Sequence, residues 1–341
     1  MLLTRSIHRL LPLVAGAVFS ALGAAQAAEA PKVVVSVKPL HGLVAGVMQG
    51  VGTPSLLVKG AGSEHTYTLK PSDARTLSQA DLVFWVGESL ETFLTRPLQS
   101  LGGKARVIEL IDAEGVETLK LREGGAWEAH ADDDDHGHKG HDHGKKPAHD
   151  HGHKHEAKAK AHDHDDHAGL DGHIWLDPHN AEAIVKAAAA ALSQADPSNA
   201  AVYARNAETM IGRIEAMDAE IAALLEPLRA TPYIVFHDAY QYFEAHYGTN
   251  AVGSITLSPE RQPSAQRLSE IRQRLAETKA RCVFAEPQFT PALVDVVIEG
   301  TPAQKGVLDP IGAGVAEGPD AYFGTMRALA QGLRRCLALQ S

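Results

Sequence analysis

The sequence has little cysteine, no excess of positive charge and no long apolar run beyond its first residues. Its 341 residues include 32 lysines and arginines against 42 aspartates and glutamates, which gives a formal net charge of −10 at pH 7. This balance argues against a nucleic-acid-binding protein, because phosphate contacts need clustered Lys and Arg. It suits a protein that attracts cations. Past the start of the chain, no segment is apolar for the roughly 20 residues that a membrane span needs.

The apolar run at the start has the features of an export signal. Arg5 and Arg9 come first, residues 10–22 are mostly aliphatic or small, and residues 25–27 (AQA) fit the small-x-small cleavage rule. We therefore predict a signal peptide over residues 1–27 that is removed on export. An uncleaved membrane anchor is the alternative.

The only two cysteines, Cys282 and Cys336, can form one disulfide or remain two buried free thiols. An even pair in an exported protein favours the disulfide, because the compartment outside the cytoplasm is oxidising. Such a bond closes a loop of about 55 residues, and loop-closure entropy sets its stabilisation at roughly 4 kcal/mol at best.

Strand-like and helix-like segments alternate along the chain, which indicates βα units and parallel sheets. The length suits two domains, and 44% apolar residues suffice for a substantial core. The predicted fold class is α/β, with two lobes that each hold a parallel β-sheet flanked by helices, joined by a long helix. The predicted strands are residues 32–37, 55–58, 82–86, 107–110, 233–236, 251–255, 282–286 and 306–309, and the long helix is residues 198–228.

These segments predict the domain boundaries. An N-terminal α/β lobe occupies residues 28–172, a connecting helical segment residues 173–230, and a C-terminal α/β lobe residues 231–341. Asp177-Pro178 starts the connecting segment as a helix cap followed by a first-turn proline.

Residues 128–169 interrupt the first lobe with a histidine-rich stretch that contains no Val, Ile, Leu, Met, Phe, Trp or Tyr. Such a stretch cannot bury apolar surface, so we predict a disordered loop. An Asp-rich linker would solubilise the chain without histidines, so we interpret the stretch as an accessory low-affinity metal collector or sensor. It contains twelve of the 19 histidines: His130, His136, His138, His141, His143, His149, His151, His153, His155, His162, His164 and His167.

A second set of polar residues lies where predicted strands end. Ligands of open parallel sheets bind beyond the carboxyl ends of the strands, so these side chains are candidates for a shared site. Three imidazoles and one oxygen suit a four-coordinate Zn²⁺ site, whereas more carboxylates would favour Mn²⁺. Any one of them alone is more often a surface or hydrogen-bonding residue. The candidates are Glu64, His65, His237, Glu286 and Asp309, with His173 at the end of the histidine-rich stretch.

Three functions fit a zinc site in an exported protein. A zinc carrier uses the strand-end ligands, a zinc buffer uses the histidine-rich stretch, and a zinc hydrolase uses an open coordination position to activate water. The enzyme is the weakest of the three, because the sequence has no His-Glu-x-x-His helix and no separate substrate motif.

Seven motifs in order resemble the zinc-uptake substrate-binding proteins of the ZnuA family, which belong to the cluster A-I binding proteins (solute-binding protein family 9). The resemblance covers nearly all of the chain after the export signal. The motifs are residues 60–65 (GAGSEH), 70–73 (KPSD), 80–83 (ADLV), 173–178 (HIWLDP), 235–240 (VFHDAY), 284–289 (FAEPQF) and 308–310 (LDP).

The resemblance implies two lobes bridged by a rigid helix, a monomeric soluble protein of the periplasm, and delivery of Zn²⁺ to the permease of an inner-membrane ABC importer. It implies no catalysis. His65, His173 and His237 match the family's three metal-binding histidines, and a histidine rather than a glutamate at position 237 favours zinc. Glu64, Asp309 or water provides the fourth ligand. Cys282 and Cys336 match the disulfide of some members.

Overall fold

A computed structural model describes residues 29–100, 103–122, 124, 127, 169–256 and 262–338. The predicted signal peptide (residues 1–27) and the twelve histidines of the histidine-rich stretch lie outside these residues. Within the described ranges, no helix is both long and apolar enough to cross a membrane.

The first lobe is built on four parallel strands that lie side by side in the order β2-β1-β3-β4. Strands β1 and β3 are fully buried, as expected for strands of a parallel sheet that is covered on both faces. The strands are β1 (Val33–Val35), β2 (Ser55–Leu56), β3 (Leu82–Trp85) and β4 (Arg106–Glu109), and the helices are α1 (Lys38–Val47), α2 (Pro71–Ser78) and α3 (Thr92–Ser100).

Two helices lead from the first lobe to the second. Helix α4 (Pro178–Ala195) begins at Asp177, whose side chain accepts a hydrogen bond from the backbone N–H of His179. Helix α5 (Ala200–Leu225) has 26 residues, so it is about 39 Å long at ~1.5 Å per residue. The predicted long connecting helix is confirmed.

The second lobe repeats the strand order of the first, as β6-β5-β7-β8, again with all neighbours parallel. The α/β prediction of two parallel sheets is therefore confirmed. The elements are β5 (Pro232–His237), α6 (Gln241–Tyr247), β6 (Asn250–Thr256), α7 (Ala265–Thr278), β7 (Cys282–Ala285), α8 (Ala292–Ile298), β8 (Gln304–Val307) and α9 (Ala321–Leu337).

One apolar core runs through both lobes, because α1, α4, α5 and α9 pack between the sheets. The packing is close at two glycines of α1. A Cβ on Gly42 would lie 2.7 Å from the backbone nitrogen of Tyr322, and one on Gly46 would lie 2.3 Å from the sulfur of Met210. Side chains at these positions would push α1 away from α9 and α5.

A disulfide joins Cys282 in β7 to Cys336 in α9. It fixes the last helix to the centre of the second sheet. The disulfide predicted from the even pair of cysteines is therefore present.

Helices α3 and α6 were not predicted, and the strand boundaries differ from the predicted ones by up to two residues. Helix α3 contains Pro97, a residue that disfavours a helix prediction, and α6 has no capping side chain at its start. The last strand runs from Gln304 to Val307 instead of residues 306–309. Leu308 is buried and its backbone N–H still donates to the carbonyl of Ala285 in β7, but the strand itself ends at Val307.

Candidate metal centre

The four residues of the site come from both lobes. Glu64 and His65 lie in the loop that follows β2, and His237 is the last residue of β5. His173 directly precedes the short 3₁₀ turn Ile174–Leu176 that leads into α4. The site therefore lies between the lobes, at the carboxyl ends of a strand from each sheet, where parallel sheets bind ligands.

The side chains converge on one point. One ligand atom from each of Glu64, His65, His173 and His237 lies within 4.8 Å of the other three. The three imidazole rings have centroids 5.4–5.5 Å apart. Oε1 of Glu64 is 3.6 Å from Nε2 of His173 and 3.8 Å from Nε2 of His65.

None of the four convergent atoms has a hydrogen-bond partner. Nε2 of His65, His173 and His237 and Oε1 of Glu64 are all buried and unpaired. Buried polar atoms are normally satisfied, and a cation bound among these four atoms would satisfy all of them. Three nitrogens and one oxygen at this spacing form the donor set of a tetrahedral zinc site.

Two buried carboxylates orient two of the imidazoles. Nδ1 of His173 donates to Asp171 across 2.8 Å, and Nδ1 of His237 donates to Glu286 across 2.8 Å. A carboxylate on Nδ1 keeps the proton there, so the lone pair of Nε2 faces the site. The same carboxylates make the imidazoles more basic and hence better ligands.

Burial and the neighbouring charges shift the pKa values of the cluster's members in different directions. Burial alone would raise the pKa of Glu64, but the neighbouring imidazole of His173 and those of His65 and His237 lower it to about 2. Burial lowers the pKa of His65 to about 3. Burial also disfavours charge on His173, but Asp171 and Glu64 together raise its pKa to about 10.

Comparison with known proteins identifies the family. Residues 33–336 match the profile of the family described as "Zinc-uptake complex component A periplasmic", or ZnuA. The chain belongs to the ZnuA family. The high-affinity zinc uptake system protein ZnuA of Brucella suis is 52% identical over 316 residues, which cover 93% of this chain and 94% of that protein. The Paracoccus denitrificans protein of the same name is 43% identical over 311 residues, which cover 91% and 93%.

Solved structures of this type share the fold at lower identity. The periplasmic zinc-binding protein TroA of Treponema pallidum is 20% identical with a TM-score of 0.71, and the alignment covers 91% of this chain and all of that one. A crystal structure of ZnuA is 22% identical with a TM-score of 0.70 and the same coverage. At this identity the likeness establishes the fold.

Asp309, which the resemblance to the ZnuA family made a candidate ligand, lies outside the group of four. One of its oxygens accepts hydrogen bonds from the backbone N–H of Gly312 and the side chain of Gln288, at 3.0 Å and 2.7 Å. The other accepts from the N–H of Ala313 at 2.6 Å. Both oxygens are therefore engaged in the turn that follows Leu308.

Sequence reasoning missed Asp171, which the structure places against His173. The sequence does contain a signal for this contact. An Asp side chain commonly accepts a hydrogen bond from the backbone N–H two residues further along the chain. Asp171 does so with the N–H of His173 at 3.0 Å. Glu286 was a strand-end candidate, and here it contacts His237 instead of joining the ligand group.

The base of the histidine-rich stretch is attached to both lobes. Lys120 and Leu170 form an antiparallel bridge across its two ends. The guanidinium of Arg122 donates hydrogen bonds to Asp238 and, across 2.6 Å, to Glu244. Because Asp238 directly follows His237, Arg122 ties the segment that precedes the stretch to a residue next to a candidate ligand. Sequence reasoning did not identify this contact.

Proposed function

We propose that this protein captures Zn²⁺ between its two lobes, with His65, His173, His237 and Glu64 as ligands. One observation carries the proposal: three imidazole nitrogens and one carboxylate oxygen, all buried and unpaired, face a common point. Membership of the ZnuA family and relatives named for zinc uptake support it.

The donor set favours zinc over harder cations. Mn²⁺, Mg²⁺ and Ca²⁺ prefer sites rich in oxygen, whereas this group offers three nitrogens and one oxygen. Burial leaves little room for the extra waters that a six-coordinate ion keeps. Cu²⁺ also binds imidazole strongly, so discrimination against copper depends on the tetrahedral geometry.

Glu64 is the fourth ligand in this proposal. Its Oε1 is unpaired and lies beside two of the imidazoles, whereas both oxygens of Asp309 accept hydrogen bonds elsewhere. A carboxylate ligand also reduces the net charge of the bound zinc, which lowers the cost of burying the ion.

The proposal also covers the export of the protein and the delivery of zinc. The protein is exported with cleavage after Ala27, works as a soluble monomer in the periplasm, and passes zinc to the permease of an inner-membrane ABC importer. It binds and releases the ion without catalysing a reaction. The histidine-rich stretch serves as an accessory low-affinity collector or sensor.

Competition with a zinc chelator tests the ligand set in the full chain. A tight chelator makes the assay blind to weak binding by the histidine-rich stretch. Alanine at His65, His173 or His237 should each abolish binding that competes with the chelator. Unchanged competition by all three variants would refute the cleft assignment.

A matched pair of variants tests the fourth ligand. Glu64→Gln and Asp309→Asn each remove one carboxylate charge from a strand-end loop. We expect Glu64→Gln to weaken zinc binding far more than Asp309→Asn. The reverse order would transfer the role to Asp309, and equal small effects would favour water.

Uptake at limiting zinc by cells that carry these variants tests delivery. Cells with a tight-binding wild-type protein should grow, and cells with the histidine variants should not. Deletion of residues 130–167 should leave most uptake intact.

A panel of hydrolase substrates with the zinc-loaded protein should show no turnover above free zinc.

A further inference from the structure

A second cluster of metal-ligating side chains lies outside the site described above. Asp177, His179 and His246 bring one ligand atom each to within 4.8 Å of the other two. Asp177 precedes α4, His179 lies in its first turn, and His246 lies in α6. The cluster therefore joins the helix that follows His173 to the helix that follows His237.

The spacing of the second cluster matches that of the first. Oδ1 of Asp177 is 3.6 Å from Nδ1 of His179 and 3.7 Å from Nδ1 of His246. The corresponding oxygen-to-nitrogen distances around Glu64 are 3.6 Å and 3.8 Å. The two imidazole rings have centroids 4.9 Å apart in an edge-to-face arrangement.

A carboxylate orients one imidazole of this cluster as well. Nε2 of His246 donates to Asp218 in α5 across 2.7 Å. The proton then resides on Nε2, so the lone pair of Nδ1 faces Asp177 and His179. This arrangement repeats the pairing of His237 with Glu286, with the two ring nitrogens exchanged.

Charge and exposure define what the cluster can hold. Two carboxylates, from Asp177 and Asp218, offset the positive end of the α4 dipole. The side chain of His179 is 73% exposed, whereas that of His246 is 14% exposed. Because Asp218 holds His246 in place while His179 is open to solvent, the cluster favours an ion that exchanges with solvent.

We propose that Asp177, His179 and His246 form a second, exposed binding site for a divalent cation of the zinc class. Two imidazoles and one carboxylate provide the protein ligands, and water completes the coordination. An open coordination sphere makes this site weaker and faster to exchange than the buried one. The site does not depend on the zinc ligands proposed above.

The ordinary reading of these residues is structural. Oδ1 of Asp177 accepts from the backbone N–H of His179 at 2.7 Å, as a helix cap does. Capping accounts for Asp177, but it leaves the approach of His246 and the orientation of its lone pair unexplained. Asparagine caps helices as well as aspartate, so Asp177→Asn separates the cap from the ligand.

Site-resolved carbethoxylation of histidines during a zinc titration tests the proposal in the full chain. Zinc on Nδ1 confines the proton to Nε2, so a ligated imidazole has no free lone pair to react. We expect zinc to protect His179, with a midpoint above that of His65. Asp177→Asn should raise the zinc midpoint of His179 by about tenfold or more, in line with effects of losing carboxylates around metal sites.

Glu182→Gln is the matched control, because it removes a negative charge from the same helix without removing a ligand. It should leave the midpoint of His179 unchanged, and both variants should leave that of His65 unchanged. Three results would overturn the proposal: no protection of His179, no shift in Asp177→Asn, or equal shifts in the two variants. Equal shifts would mean that zinc responds only to general charge.

Discussion

Glu286 accepts a hydrogen bond from Nδ1 of His237, and glutamine in its place keeps the side-chain volume but removes the negative charge. The carboxylate is buried, with 3% of its surface exposed, so bulk water does not screen it. We expect Glu286→Gln to weaken zinc binding without moving His237, because the amide oxygen can still accept from Nδ1.

The geometry sets the size of this effect. The hydrogen bond is 2.8 Å long, so with the ring and a Zn–N bond of ~2 Å the carboxylate lies about 7 Å from a zinc ion on Nε2. At an effective dielectric constant of ~20, charges of −1 and +2 at that distance attract by roughly 5 kcal/mol. This is an upper limit, because the ligands share the charge of the ion. Loss of a carboxylate that hydrogen-bonds to a metal ligand typically weakens metal binding ~10–100-fold, which is about 1.4–2.7 kcal/mol.

The assay is chelator competition with the full chain at fixed pH. Asp196→Asn is the control, since it removes a buried carboxylate that bonds to Ser198 and Tyr203 at the turn between α4 and α5. It should lower the melting temperature and leave zinc affinity within about twofold. An unchanged dissociation constant in Glu286→Gln would refute the reasoning, as would an equal loss in both variants.

Three further outcomes follow from buried groups away from the ligand atoms. Arg122→Ala leaves Asp238 buried and unpaired, so urea unfolding of the metal-free protein should report a loss of about 3–5 kcal/mol, and Arg122→Lys should recover part of it. Burial raises the pKa of Glu91 to about 7. The folded protein then binds this proton more tightly than the unfolded chain, so stability should fall as pH rises from ~4.5 to ~7. Glu91→Gln should make this fall in melting temperature smaller without abolishing it, because burial also raises the pKa of Glu244 to about 7. Replacing Cys282 and Cys336 by serine should cost roughly 4 kcal/mol at most and leave zinc affinity unchanged; a large affinity loss would contradict a purely structural role.

The strand positions follow from local sequence. Buried parallel strands need continuous apolar runs, and residues 82–86 (LVFWV) and 233–236 (YIVF) are such runs between turn signals. Asp177-Pro178 likewise specifies a helix start through its own side chain and ring. Helix α6 escapes prediction, because its seven residues begin without a capping side chain.

The sequence predicts which residue types are candidate ligands and where they lie along the chain, but not which of them bind the metal. A parallel sheet binds ligands at the carboxyl ends of its strands, so His65 and His237 were candidates from their positions alone. His173 became one because it begins the segment after the histidine-rich stretch. The same reasoning nominated Glu64 and Asp309 equally, since it contains no information on hydrogen bonds between distant segments.

The sequence by itself determined two α/β halves, the long helix between them, and the presence of histidines where strands end. Only the tertiary structure decided that Glu64 faces the histidines while the turn after Leu308 occupies Asp309. It also decided which way each imidazole faces, because a carboxylate from elsewhere in the fold fixes the proton on one ring nitrogen. The physical reason is the range of each interaction. Helices, strands and caps depend on neighbouring residues, whereas the direction of a lone pair depends on contacts between segments that only folding brings together.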